Sequence, residues 1–506
     1  MSSNNQNDTS AKATDHLDMS SFLDTVDFKP IVPVDESVPP ATTVQKPVAK
    51  APIDKPQAPV QPKPPAPPSQ VPEATVSEPQ APVESMNRLE EDLKVSYEAK
   101  GILEITPTGY GFLRREFEID PSADIYISPS QIKRFWLRKG DLVEGLARAP
   151  KNGERYHSLL LIQKINGAVM SEAESQNRPQ FDDLTSLHPN KQIKLEHKQD
   201  ILTNRIIDLI APIGFGQRAL IVSQPKAGKT TFLKEIAQGI TANYPDVHLM
   251  AILIGERPEE VTEIKRFIQG EVAASHFDQQ PRQQVKVATL ALDRAKRLVE
   301  MGKDVVILLD SITRLARAYN LAGPIDDHGN GLDQGFKRGG DRYGRNNSGY
   351  RSRYGGNQES GMDYSGGGNR GSMSGGMNQS AMFPAKKFLG AARNCEEGGS
   401  LTIIGTALVG TESRMDDLIY EEFKGTGNME IHLDRKLAEK RIFPAIDIQL
   451  SGTRKEELLF DESTYKKIVT LRRMISLLNT EEAITSMNDK LLKTKLNKDF
   501  LDQLAR

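Results

Sequence analysis

A short apolar run, Ala219-Leu220-Ile221-Val222, ends in Ser223-Gln224-Pro225-Lys226-Ala227-Gly228-Lys229-Thr230-Thr231. A helical pattern follows at once, with Phe232, Leu233, Ile236, Ala237 and Ile240 on one face. Strand, glycine-containing turn and helix in that order make a cradle for phosphate, because the free backbone N–H groups and the positive end of the helix dipole point at the turn. In such a cradle Lys229 reaches the β- and γ-phosphates, the Thr230 hydroxyl is a ligand for Mg²⁺, and Lys226, Ala227, Gly228 and Thr231 complete the loop. The pattern usually opens on glycine, whereas Ser223 stands there. Taken alone, the stretch also fits a plain β-to-α turn.

The sequence downstream narrows the choice. His248-Leu-Met-Ala-Ile-Leu-Ile254 reads as a buried strand and runs into Gly255-Glu256-Arg257-Pro258. Pro258 suits the first turn of a helix. Glu256 therefore lies at the C-terminal end of a strand, the rim where parallel α/β sheets hold their ligands, and a carboxylate there can orient a water for attack on a γ-phosphate. Val285–Ala288 reads as a further strand and Leu290–Met301 as a helix. Val305-Val-Ile-Leu-Leu-Asp310 is an apolar strand closing on an aspartate, and Asp310 is placed to hold Mg²⁺ through its water shell. Alternating strands and helices predict a mostly parallel sheet with right-handed crossovers.

Ahead of this domain the period changes. Asn87–Ala99 reads as a short charged helix. Gly101–Ile105, Gly111–Arg114, Ile125–Ile127, Leu142–Arg148 and Ser158–Ile165 then read as short strands between Gly, Pro, Asp and Ser turns, the pattern of a small oligonucleotide-binding β-barrel. Tyr110 and Phe112 stand two apart, so they share a face. Tyr126 and Tyr156 lie on or beside later strands, with Arg114, Lys133, Arg134, Glu154 and Arg155 close by in sequence. Aromatic faces stack unpaired bases, and flanking cations follow the backbone. Each ring taken singly also fits a barrel core.

The expected organisation is a disordered Pro/Ala-rich tether over 1–86, the barrel over 87–168, a polar connector over 169–200, and a RecA-like phosphate-loop domain over 201–506. Residues 325–373 of the last domain are a Gly/Arg/Asn/Ser/Tyr-rich insertion expected to be disordered. The text of that insertion fits an RNA-holding arm and a tolerated loop expansion about equally.

Charge and cysteine usage close off other classes. Lys and Arg total 66 against 68 Asp and Glu, so nucleic-acid binding must come from local patches. The single cysteine, Cys395, leaves no disulfide framework and no cysteine-based zinc site, and it fits a reducing cytoplasm. No apolar run approaches the ~18 residues of a membrane span, so a cytoplasmic protein without a membrane partner is expected.

Beyond these local readings, Pro225–Thr230, Glu256–Thr262, Leu309-Asp-Ser-Ile-Thr-Arg-Leu-Ala-Arg-Ala-Tyr-Asn320, Gly390–Asn394, Tyr420-Glu-Glu-Phe-Lys-Gly-Thr-Gly-Asn428 and Ser451-Gly-Thr-Arg-Lys-Glu-Glu457 closely resemble the bacterial transcription termination factor Rho family. The resemblance runs from about residue 100 to the end apart from the insertion, and it accounts for Ser223. It implies a homohexameric ring that hydrolyses ATP in response to RNA, moves 5′→3′ on cytosine-rich single strands and releases RNA from RNA polymerase, with elongation factors as further partners. It implies Lys226, Lys229 and Thr230 on the phosphates, Glu256 as catalytic base with Arg257 beside it, and Asp310 on Mg²⁺. It also implies Phe443 on the adenine, and Arg454 as a finger reaching a neighbour's nucleotide. For RNA it implies Tyr110, Phe112, Arg114, Tyr126, Glu154, Arg155 and Tyr156 in the barrel and Arg414 in a pore loop, with a second pore loop at Ser374–Asn378. The family's usual small helical domain ahead of the barrel is not recognisable in the sequence, where residues 1 to 85 read as disordered text instead. A rotary-type ATPase subunit and an RNA-binding scaffold with a dead nucleotide site are the competing classes.

Overall fold

Alternation builds the first domain. In the computed structural model, which describes residues 92–115, 117, 123–169, 171–323 and 374–504, strands β1 (Tyr97–Ile105), β2 (Gly111–Arg114), β3 (Ile125–Ile127), β4 (Leu142–Arg148) and β5 (His157–Ile165) close into a barrel in the order β1-β2-β3-β5-β4. Along β4 every second residue is buried, and Val143 and Ala147 join a core with Leu103, Leu113, Ile125, Ile127 and Ile165. The pairs are antiparallel except β3 with β5. Between β3 and β4, helix α1 (Pro129–Arg134) starts at a capping box made by Ser128 and Gln131.

The helix expected over Asn87–Ala99 is corrected at its end. Helical backbone in the described part is confined to residues 92–94, and β1 is already extended at Tyr97. Tyr97 and Ala99 lie opposite Ala147 and Gly145, so pairing with β4 outweighs the helix preference of the charged run. The segment 1–86 and the insertion 325–373 lie outside the described residues.

The connector is packed. Its Phe181, Ile193 and Leu195 are buried, Arg178 makes a two-pronged bond to Asp141 of the barrel (2.8 and 2.9 Å), and β6 (Ser186–Leu187) joins the main sheet. Next come α2 (Leu202–Ile210), β7 (Arg218–Ser223), α3 (Lys229–Asn243), β8 (His248–Glu256), α4 (Pro258–Phe267), β9 (Glu271–His276), α5 (Pro281–Glu300), β10 (Val305–Asp310) and α6 (Ile312–Ala322). After the insertion come α7 (Gln379–Gly390), β11 (Arg393–Cys395), β12 (Ser400–Leu408), α8 (Arg414–Lys424), β13 (Met429–Leu433), β14 (Ile446–Thr453) and the C-terminal helices α9 (Glu462–Ile475), α10 (Thr480–Leu492) and α11 (Asn497–Leu504).

Among the described residues these strands form a nine-stranded sheet with the path β14-β13-β7-β12-β10-β8-β9, and β6 and β11 attached beside β12. From β13 to β9 the pairing is parallel, while β14 runs antiparallel to β13. Both faces are covered, which is why β7, β10 and β12 are buried almost continuously rather than at alternate residues. The parallel register brings the C-terminal ends of β7, β12, β10 and β8 to one edge.

The strand expected at Val285–Ala288 is helix. Pro281 opens α5, and Val285, Ala288, Leu292, Ala295 and Val299 recur at three- and four-residue steps on its buried face. Val-Lys-Val mimics strand alternation locally, but the sheet takes Glu271–His276 as its edge strand instead. Among the described residues no helix is long and apolar enough to cross a membrane.

One buried cation ties the domain's end to its start. Arg205 of α2 has no exposed surface, and its guanidinium donates to Leu491 O (2.7 Å), Thr494 O (2.9 Å), Thr494 Oγ1 (2.9 Å) and Asn497 Oδ1 (3.1 Å), with Glu196 3.1 Å away. Removing one partner of a buried pair strands the rest, so Arg205→Ala should cost about 3–5 kcal/mol in urea denaturation. Arg205→Lys should recover little of it, because a point ammonium cannot serve this planar set of acceptors.

Candidate functional site

The phosphate loop is shaped by two left-handed residues, Gly228 and Lys226. Gly228 takes φ +90° at the N-cap of α3, and no side chain caps that helix, so its first N–H groups face the loop. Lys226, also left-handed at φ +69°, is exposed at the loop's crest, and Ala227 is buried beneath it. Lys229 and Thr230 start the helix half-buried, and Thr231 is exposed. Phe443 forms a wall beside the loop: a Cβ on Gly228 would lie 3.7 Å from its ring, and half of the side chain is open.

The strand ends supply the charges. Lys229 Nζ lies 2.5 Å from Asp310 Oδ1 at the end of β10 and 3.5 Å from Glu256 Oε1 at the end of β8. Both carboxylates are almost wholly buried. Asp310 also accepts from Thr406 Oγ1 on β12 at 2.8 Å. Glu256 is ion-paired with Arg314, which in addition donates to Gly255 O at 2.9 Å. Burial, and then the Asp310 carboxylate, push the Glu256 carboxyl above the ordinary carboxylate range, against the pull of Arg314 and Lys229. Arg257 is exposed at the N-cap of α4.

Arg314 and Thr406 were not singled out from the sequence. Arg314 had a signal, since it stands one helical turn past Asp310. Thr406 had none. It arrives through the parallel register that sets Leu309 opposite Gly405.

Arg454 is not part of this cluster. Its backbone N–H bonds Asn428 O (2.8 Å), and Asn428 is itself bonded to Arg218, the first residue of β7, whereas the phosphate loop follows the last. A strand of that length separates them by roughly 17 Å. Arg454 instead lines a cavity of ≈ 560 Å³ with Lys424, Tyr465 and Arg472.

The barrel gathers the four predicted rings. Phe112 lies opposite Tyr126 in the ladder. Ring centroids are 5.6 Å apart for Tyr110–Phe112, 5.7 Å for Tyr110–Tyr126 and 4.9 Å for Phe112–Tyr156. None of the four belongs to the cluster that fills the barrel; Tyr110, Tyr126 and Tyr156 are half-exposed on its outer face, and Phe112 is buried among them. Arg155 is exposed with its guanidinium 5.9 Å from the Tyr156 ring. Glu154 is held by both terminal nitrogens of Arg148 (2.6 and 2.7 Å), and that bond, with one from the Lys151 N–H, brings its pKa down to about 2. Arg114, expected among the RNA-binding residues near the rings, lies behind them. It is buried under Phe112, 5.2 Å from that ring, and paired with Glu104 and Asp124.

Arg414 is exposed at the start of α8. The segment after the insertion lies against it, since a Cβ on Gly375 would stand 2.8 Å from Met415 N, and Asn378 N donates to Asn320 Oδ1 on α6 (2.9 Å). The two loops expected to grip RNA are thus neighbours.

Comparison with known proteins agrees with this division. Residues 99–171 match the family "Rho termination factor, RNA-binding domain", and residues 203–323 match "ATP synthase alpha/beta family, nucleotide-binding domain". The chain is 49% identical over 406 residues to a transcription termination factor Rho of Bacillus subtilis, covering 80% of this chain and 84% of that one. It is 48% identical to that of Aquifex aeolicus, over 79% of this chain and 83% of that one, and 49% identical to that of Thermotoga maritima, over 79% and 84%.

Because Gly228 is left-handed, Gly228→Ala should cost about 1–2 kcal/mol in the loop and lower nucleotide affinity. Thermal melts with and without nucleotide read both effects: a lower melting temperature alone and a smaller upward shift on adding nucleotide.

Proposed function

The chain belongs to the transcription termination factor Rho family, and from that premise we propose how its residues divide the work of an ATP-driven RNA translocase that ends transcription. One observation carries the reading: a charged cluster of Lys229, Glu256, Arg314 and Asp310 beside a phosphate loop, in the same chain as a cluster of four aromatic rings of which three are open to solvent.

The phosphates of ATP compete with Asp310 for the Lys229 ammonium, so nucleotide arrival exchanges an internal ion pair for a ligand one. The buried, polarised Glu256 holds the attacking water, and Arg314 fixes the orientation of that carboxylate. One carboxylate and one hydroxyl, Asp310 and Thr230, are the hard oxygen donors that Mg²⁺ accepts alongside phosphates, and the ion would neutralise their charge. Phe443 offers its open face to the base. Arg454 lies at the opposite end of β7 from its own chain's loop, which supports a role on a neighbouring subunit's nucleotide in a homohexameric ring.

Tyr110, Phe112, Tyr126 and Tyr156 offer stacking surfaces to successive bases, and a preference for cytosine-rich strands follows from the family. Arg155 follows the phosphates, and Arg114 and Glu154 brace the face through Glu104, Asp124 and Arg148. Arg414 and the neighbouring Ser374–Asn378 segment hold RNA in the pore. RNA polymerase is the target in the cytoplasm, with elongation factors as further partners.

ATP hydrolysis measured with and without a cytosine-rich single strand tests the reading. Strong stimulation in the wild type and its loss in Glu256→Gln are expected. Hydrolysis indifferent to RNA would instead indicate a ring ATPase of the rotary type. Phe112→Ala should weaken RNA binding by about 1–3 kcal/mol with ATP binding intact. Arg454→Ala should bind ATP normally yet hydrolyse it about 10³–10⁵-fold more slowly. Mixing it with Lys229→Ala subunits should restore partial activity, since some interfaces then join an intact loop to an intact arginine. No recovery on mixing would argue that Arg454 does not act across the interface.

A further inference from the structure

Helix α5, twenty residues and about 30 Å long, borders both functional regions. Near its start Gln284 reaches the catalytic strand end. Its amide nitrogen is 3.7 Å from where a Cβ on Gly255 would stand, next to Glu256, and it donates to the carbonyls of His276 (3.2 Å) and Gln279 (3.3 Å).

Two residues on, α5 meets the barrel. Lys286 Nζ lies 3.7 Å from Glu104 Oε1. Glu104 Oε2 accepts from Arg114 Nε at 2.8 Å, and the Arg114 guanidinium lies over the Phe112 ring. Farther along, Arg294 Nη1 donates to Asn166 Oδ1 (2.7 Å), whose amide bonds Asp141 (2.7 Å). At the same level a Cβ on Gly140 would stand 2.3 Å from the Asp293 carbonyl carbon, so the barrel turn rests directly on the helix backbone. A short chain of charged groups thus leads from the stacking face to α5, and α5 leads to the hydrolytic carboxylate.

Lys286 touches neither the stacking rings nor the charged cluster at the phosphate loop. Its side chain is about one-third exposed, so replacing it leaves the core intact. Resting on the reading above, we propose that Lys286 is a positioning residue that couples RNA on the barrel to the geometry of Glu256. A base packed against Phe112 shifts the ring that lies over the Arg114 guanidinium and so weakens the hold of Arg114 on Glu104. Glu104 then binds Lys286 more closely. Because Asn166 and the Gly140 turn fix the rest of α5 to the barrel, the helix carries that change to Gln284 and Gly255.

Coupling between two ligands is reciprocal, and this makes the idea measurable at equilibrium. With the full chain, the affinity for a cytosine RNA of about six nucleotides, sized for one barrel, is measured with and without a non-hydrolysable ATP analogue. The analogue should tighten RNA binding about fivefold in the wild type, and the RNA should tighten analogue binding by the same factor. Lys286→Met should leave each ligand's separate affinity unchanged and bring the coupling factor close to one. Lys286→Arg should restore it, which a merely structural role would not require. No coupling in the wild type, or equal coupling in Lys286→Met, overturns the proposal. If the wild type fails to bind the RNA or the analogue separately, the proposed function itself falls, and the separate affinities tell that failure from the first.

Discussion

Two buried carboxylates at neighbouring strand ends cannot both stay charged without cations between them, and Lys229 and Arg314 supply those cations. The structure around them keeps this arrangement in place. Parallel pairing of β8 with β10 and of β10 with β12 brings Glu256, Asp310 and Thr406 to the same edge of the sheet. The left-handed turn at Gly228 aims the start of α3, and with it Lys229, at the same point. A lysine held by internal acids is poised for exchange, since phosphate oxygens offer it a stronger partner. The same groups thus balance charge in the fold and perform the chemistry.

The barrel follows a different logic. Its central cluster contains none of the four rings, and three of them are half-exposed on the outer face. Arg114 shows the two demands meeting. Buried beneath Phe112 and paired with Glu104 and Asp124, it supports the face from behind while its charge extends toward α5. The barrel is also no loosely tethered module. Arg178, Arg138 and Arg294 bond across from the connector, the barrel and α5, and the Gly140 turn sits against the α5 backbone with no room for a side chain.

Much of this was legible from residue order. Strands β2, β3 and β4 begin and end where the period-two runs and turn residues put them, and β7, β8 and β10 read as apolar runs because both faces of the sheet are covered. The failures share one cause. Val285–Ala288 looks like a strand over four residues, and only the full stretch opened by Pro281 shows the helical period. Residues 97–99 look helical by composition, and only a partner strand makes them extended. In each case a local pattern was overruled by what lies across from it.

The sequence by itself determined which chemical groups are present and which of them are neighbours along the chain: the glycine that allows the loop, the lysine and threonine after it, an acid at each strand end, and paired aromatics in a small barrel. Local periodicity and turn chemistry carry that information. Only the tertiary structure decided that Thr406 reaches Asp310, that Arg314 covers Glu256, that Arg454 stands at the far end of β7 from its own loop, and that α5 lies between barrel and catalytic edge. Those placements depend on sheet register and strand order, which arise from contacts between residues far apart in the chain and leave no trace in the residues next door.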